Sequence, residues 1–209
     1  MKNIFVIALA LILWVACEQP DPDKKVDTGA ITNGVYYCPK IGWTIHIPNT
    51  WKIISKDSIE GLNQRGIDTI NKSTKTNIEK GPIQSLISFR KDGLNFFISS
   101  IEPFKEDYTG EYEKRRKKGN EIICKAISYY NIKADTSSGK ETVRGLEFER
   151  FTITRYNKED MPDLSEIIYS KLLNGYDFQV IIYYKNDSTK QVMLDAFRNS
   201  TFDNKQQTY

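Results

Sequence analysis

Apolar residues fall along this chain in three rhythms, and each predicts a different kind of segment. From Ile4 to Ala16 they run almost unbroken. From Trp43 they alternate: Trp43, Ile45 and Ile47 take turns with Gly42, Thr44 and His46, the period of a half-buried strand. Further on come stripes at three- and four-residue spacing. Ile59, Leu62, Gly66 and Ile70 predict a helix from about Ser58, with Asp57 as its cap and Glu60 three residues on. Tyr112, Arg116, Gly119, Ile123, Ala126, Ile127 and Tyr130 predict a longer one within 109–131.

Turn residues divide the rest. Asp92-Gly93 separates the apolar runs Ser85–Arg90 and Asn95–Ile101, and Asn174-Gly175 separates Ile167–Leu173 from Tyr176–Tyr184, so both read as hairpins. Along the last of these strands Tyr176, Phe178, Val180, Ile182 and Tyr184 share one face and point to a core. Ser137-Ser138-Gly139 reads as a turn. Leu146 and Phe148 hold one parity while Phe151 and Ile153 hold the other, which predicts a bulge near Glu149-Arg150. Ser188 and Gln191 form a capping box for a final helix with Met193, Ala196, Phe197 and Ser200 on its inner side. The sum is an α+β fold, a mostly antiparallel sheet covered by helices.

The amino-terminal run has Lys2 ahead of it and small Ala16 at its end, the layout of a secretory signal. It is shorter than the roughly 20 apolar residues that span a bilayer. Leu13-Trp14-Val15-Ala16-Cys17 resembles the lipobox of bacterial lipoproteins, with Trp14 where that family prefers Leu. The resemblance implies residues 1–16 as a signal peptide, cleavage before Cys17, and Cys17 as the lipid-attachment residue. It also implies an envelope protein on the periplasmic side or the cell surface. Two or three acyl chains hold a protein on a membrane stably where one does not. Residues 17–33, polar and carrying Pro20 and Pro22, read as a tether, 34–203 as the domain and 204–209 as a polar tail.

Two stretches carry a second resemblance. "GWTIHIPNTW", with Gly42, Trp43, Pro48 and Trp51, and the "NSTF" close, with Ser200 and Phe202, look like corresponding parts of the Mog1/PsbP-like fold. That resemblance implies an α/β/α sandwich. It also implies a binding role, since members serve as extrinsic subunits of membrane complexes or as small protein-binding factors.

Composition adds mostly exclusions. The formal net charge is +3, too near neutral to argue for nucleic acid. Cys38 and Cys124 read as small buried hydrophobes, though an oxidising compartment permits a bridge between them. His46 is the single histidine and shares the wet face with Thr44. GxSxG, Walker A and GxGxxG motifs are absent. Glu147 and Glu149 have a spacing that suits paired carboxylates, but it is also the spacing of an ordinary wet strand face. Lys114 to Lys118 read as the solvated side of a helix, or else as a patch for anionic lipid. The expectation is no catalytic, cofactor-binding or metal residue, and a lipid-anchored accessory module for a membrane-associated protein complex. The alternative is a small-ligand carrier or sensor with an aromatic-lined pocket between sheet and helices.

Overall fold

The computed structural model describes residues 29–75, 77 and 81–203. The signal segment, Cys17, most of the tether and the 204–209 tail lie outside them. In chain order the elements are β1 (Ala30–Thr32), β2 (Val35–Cys38), β3 (Trp43–His46), β4 (Lys52–Ile53), α1 (Lys56–Thr74), β5 (Gln84–Arg90) and β6 (Phe96–Pro103). There follow α2 (Glu111–Tyr129), β7 (Ala134–Val143), β8 (Leu146–Tyr156), β9 (Pro162–Leu173), β10 (Tyr176–Tyr184), α3 (Asp187–Arg198) and β11 (Thr201–Phe202). Two antiparallel sheets result, one ordered β1-β2-β3-β11 and one ordered β4-β5-β6-β10-β9-β8-β7.

The large sheet is the middle layer. On one face it meets the small sheet and α3, through Phe97, Phe148, Tyr169, Phe178, Val180 and Ile182 against Trp43, Ile45, Met193 and Phe197. On the other it meets α1 and α2, through Ile98, Phe151, Ile153, Ile168 and Ile181 against Ile59, Ile67, Ile70, Ile123, Ala126 and Ile127. Burial on both faces is what an α+β sandwich needs, and it explains why β10 is apolar at both parities. It also removes the bulge expected near Glu149-Arg150. β8 keeps constant register with β7 from end to end, because Phe148 and Phe151 serve opposite cores. Register shifts occur instead at Arg155/Tyr156 and Ser85/Ser88.

Ser137-Ser138-Gly139 lies in mid-strand, not in a turn. β7 is an edge strand exposed on both sides, so it needs no apolar alternation, and polar small residues mimic a loop. The actual reversal is Arg144-Gly145, with φ values of 49° and 82°. Asn174-Gly175 turns the same way at 51° and 77°, as expected of a type I′ hairpin. So does Asn33-Gly34, at 50° and 75°. That hairpin pairs β1 with β2, so a strand begins inside the stretch expected to be tether.

Two helix caps each lie two residues earlier than expected. Ser55, not Asp57, caps α1 by accepting the Ser58 N–H at 3.3 Å. Asn186, not Ser188, caps α3 by accepting the Thr189 N–H at 3.0 Å. Each true cap has an extended backbone, while the expected cap already lies in the first turn or next to it. On α1 the inner face carries Asn63 and Ile67 beside Ile59, Gly66 and Ile70, and Leu62 is half-buried.

The two stretches at opposite ends of the domain meet. β11 pairs with β3, setting Phe202 against Trp43. The Trp43 Nε1–H donates to Ser200 Oγ at 2.9 Å, and that hydroxyl donates onward to the Phe197 carbonyl at 2.6 Å. The Gly42 carbonyl accepts the Asp203 N–H at 2.8 Å. Gly42 has φ +62°, and a Cβ there would stand 2.8 Å from the Asp203 Cβ. Gly42→Ala is therefore expected to cost roughly 1–3 kcal/mol in urea unfolding. An unchanged midpoint would mean the β3–β11 junction tolerates a side chain.

Candidate functional site

α2 is built in two halves. Its second half lays Ile123, Ala126 and Ile127 on apolar sheet. Its first half lies over Glu102 of β6 and Asp177 of β10, which are direct cross-strand partners and 4 % and 1 % exposed. Two carboxylates opposed in this way repel. α2 answers them with neighbouring arginines. Arg115 Nη2 reaches Glu102 Oε2 at 3.0 Å, and Arg116 Nη2 stands 3.6 Å from Asp177 Oδ2. Tyr112, one turn before Arg116, donates its hydroxyl to Asp177 Oδ1 at 3.0 Å. The Arg115 guanidinium also lies 4.6 Å from the centre of the Phe104 ring.

Burial pushes the Glu102 carboxyl up to about 8; the Asp177 charge adds to the rise and Arg115 and Arg116 oppose it. Burial raises Asp177 as well, against the pull of Arg116. The same desolvation lowers Arg115, although Glu102 opposes it, and lifts the Tyr112 phenol well above its usual range. A second buried pair, Arg155 and Glu166 at 2.6 Å, lies on the same sheet face, and burial raises the Glu166 carboxyl too. Thus the basic run is divided. Lys114, Lys117 and Lys118 are solvated as expected, but Arg115 and Arg116 are turned onto the buried acids of the sheet, at 3.0 Å and 3.6 Å.

Beside this cluster a gap opens between α2 and strands β7, β8 and β9. The gap is an open cleft of about 640 Å³. Lys117, Glu121, Cys124 and Lys125 are among the residues of its helical wall, and Thr136, Ser138 and Ser170 are among the groups of its sheet wall. Phe151 is the one ring among its lining residues and is 5 % exposed. This cleft is therefore not aromatic-lined, and most of the buried rings pack in the two cores.

The other groups singled out in the sequence do not converge. His46 is exposed on β3 opposite Val35, in the small sheet. Glu147 and Glu149 lie on β8 beside Lys140 of β7, whose Nζ sits 2.7 Å and 3.4 Å from them. Hydrogen bonding by Lys140 holds Glu147 below the usual carboxylate range. Cys38 is buried in the core with Trp43, while Cys124 packs on the α1/α2 side; the large sheet lies between them and no disulfide joins them. Among the described residues no group of three or more His, Cys, Asp or Glu could hold a metal ion, and no helix is long and apolar enough to cross a membrane.

No protein-family model and no curated protein matches the chain. A solved structure does. The solution structure of cyanobacterial PsbP (CyanoP) from Synechocystis sp. PCC 6803 aligns with a TM-score of 0.54 at 10% sequence identity, over 84% of this chain and 96% of that one. The fold is PsbP-like. At that identity the likeness is one of backbone path, so the charge cluster under α2 and the cleft beside it have to be read from this chain's own residues. The three helices and the antiparallel pairing agree with the order of elements read from the sequence, which pointed to one sheet where the fold has two.

Proposed function

We propose that this chain is a non-catalytic docking module held at a bilayer in a bacterial envelope by acyl groups on Cys17. The observation that carries the reading is a PsbP-like domain placed directly after a polar segment headed by Ala16-Cys17. The groups available for chemistry support it, since Glu147 and Glu149 are engaged by Lys140 and His46 stands apart from both. Acyl chains contribute roughly 0.8 kcal/mol per buried methylene, enough for two chains to hold a soluble domain at a surface. In cells fed an alkyne-tagged palmitate, the chain is expected to take up label and to sediment with membranes. Cys17→Ala is expected to abolish both. Label retained by Cys17→Ala, or an unlabelled soluble wild type, would end the anchoring part of the proposal.

The cleft favours a second reading, a carrier or sensor of a small polar molecule. Its walls pair hydroxyls with charges of both signs, which suits a ligand rich in donors and acceptors. Native mass spectrometry of the freshly purified protein is the test. A retained mass that disappears on Ser138→Trp supports it, and a bare polypeptide mass speaks against it.

A further inference from the structure

The outer edge of β7 is where the docking reading acquires a surface. β7 ends the seven-stranded sheet and keeps constant register with β8 through all of its 10 residues, with no bulge to twist the edge away. The two-residue turn at Arg144-Gly145 makes Val143 and Leu146 a hydrogen-bonded pair, and such pairs then recur at every second residue. The Tyr156 N–H bond to the Lys133 carbonyl, at 2.9 Å, falls on that same alternation. Odd-numbered residues of β7 therefore spend their N–H and C=O on β8. Thr136, Ser138 and Lys140 turn theirs outward. From Thr136 to Gly139 no bulky side chain screens the backbone.

We infer that this edge accepts an extended segment of a partner protein as an eighth strand. The cleft beside this edge suits the side chains of a peptide. Thr136 and Ser138, whose backbone groups face outward, also form part of the cleft's sheet wall. Alternate side chains of an added strand would point toward Lys117, Glu121 and Lys125 on the helical wall, and alternate pockets beside a bare edge are what strand addition uses. Charge argues for a different protein rather than a second copy. A two-fold axis must keep residues of one face opposed, which leaves two nine-residue registers. One, about Ser138, opposes Asp135 to Glu141 twice; the other, about Gly139, opposes no charge to its opposite. Neither gains a cross-strand ion pair.

The inference rests on the docking reading and is tested separately from it. Full-length acylated protein in detergent is used to select from a displayed library of random twelve-residue peptides. The enriched peptides, made synthetically, are expected to protect the amides of Thr136, Ser138 and Lys140 from hydrogen exchange. Ser138→Pro removes one outward N–H without touching a β7–β8 bond and is expected to weaken them about tenfold or more. The exchange pattern decides the matter on the wild type if that variant folds poorly. Equal binding to folded Ser138→Pro, protection at another place, or no enrichment overturns the inference. So does wild-type dimerisation that Ser138→Pro abolishes, which would make a second copy the occupant. An envelope protein captured equally by wild type and Ser138→Pro leaves docking standing and sinks the edge. Failure to capture any above a Cys17→Ala control, with peptides still seated on β7, does the reverse.

Discussion

Trp43→Ala is expected to cost about 3–5 kcal/mol, the usual range for removing a buried Trp, from a domain whose whole stability is of order 5–15 kcal/mol. The indole is fully buried where three elements meet. Its ring lies 4.8 Å from Phe178 on β10, 6.5 Å from Phe97 on β6 and 5.9 Å from Tyr36 on β2, so it joins the small sheet to the large one. Its Nε1–H holds Ser200, which holds the last turn of α3. Deleting it opens a cavity at the centre of that layer and deprives the Ser200 hydroxyl of its buried donor. In thermal unfolding the midpoint should fall by roughly 10 °C or more, at about 3 °C per kcal/mol for a domain of this size. Trp43→Phe separates the two parts. It keeps most of the packing and loses the hydrogen bond, so about 1–3 kcal/mol of the loss should remain. Equal midpoints for Trp43→Ala and the wild type would mean that the small sheet contributes little to the fold.

Much of this layer was legible in the sequence. The alternation around Trp43 placed Trp43 and Ile45 inward and His46 outward, and Asn174-Gly175 set the β9–β10 register. What failed had a common cause: periodicity reports burial, not hydrogen bonding. β7 buries almost nothing before Val143, so its polar run imitated a turn. β8 buries both faces, so its parity change imitated a bulge. Asn33-Gly34 carried the same hairpin signal as Asn174-Gly175, but apolar residues are sparse before it and the stretch read as tether. The charge cluster left one trace, Arg116 on the inner stripe of α2 with Tyr112. An arginine on a buried stripe requires a buried acid opposite it. Asp177 between Tyr176 and Phe178, and Glu102 at the end of an apolar strand, were the available candidates.

Asp177→Ala is expected to be the most damaging change on the helical side. It takes from Arg116, whose side chain is 12 % exposed, its ion-pair partner 3.6 Å away, and removing one member of a buried pair typically costs about 3–5 kcal/mol. Asp177→Asn, which keeps the shape and an acceptor for Tyr112, should cost less. The pH dependence identifies the cluster more sharply. Glu102 holds its proton up to about 8 in the native protein and releases it near 4.5 when unfolded. Between those values the native state binds the extra proton, so stability from this group is greatest below about 4.5 and falls as pH rises through the window. The slope is at most about 1.4 kcal/mol per pH unit for one proton. Carboxylates held low, such as Glu147 and Asp92, act below that window and with the opposite sign. Urea unfolding from pH 5 to 8 should therefore decline with pH in the wild type and decline less steeply in Glu102→Gln, which is neutral throughout, while Asp177 and Glu166, also raised by burial, keep their shares with the same sign. A wild type whose stability runs parallel to Glu102→Gln across the range would show that Glu102 stays ionised, with Arg115 at 3.0 Å outweighing its burial. In that case the first half of α2 is held by two full ion pairs rather than by one carboxylate and one carboxylic acid.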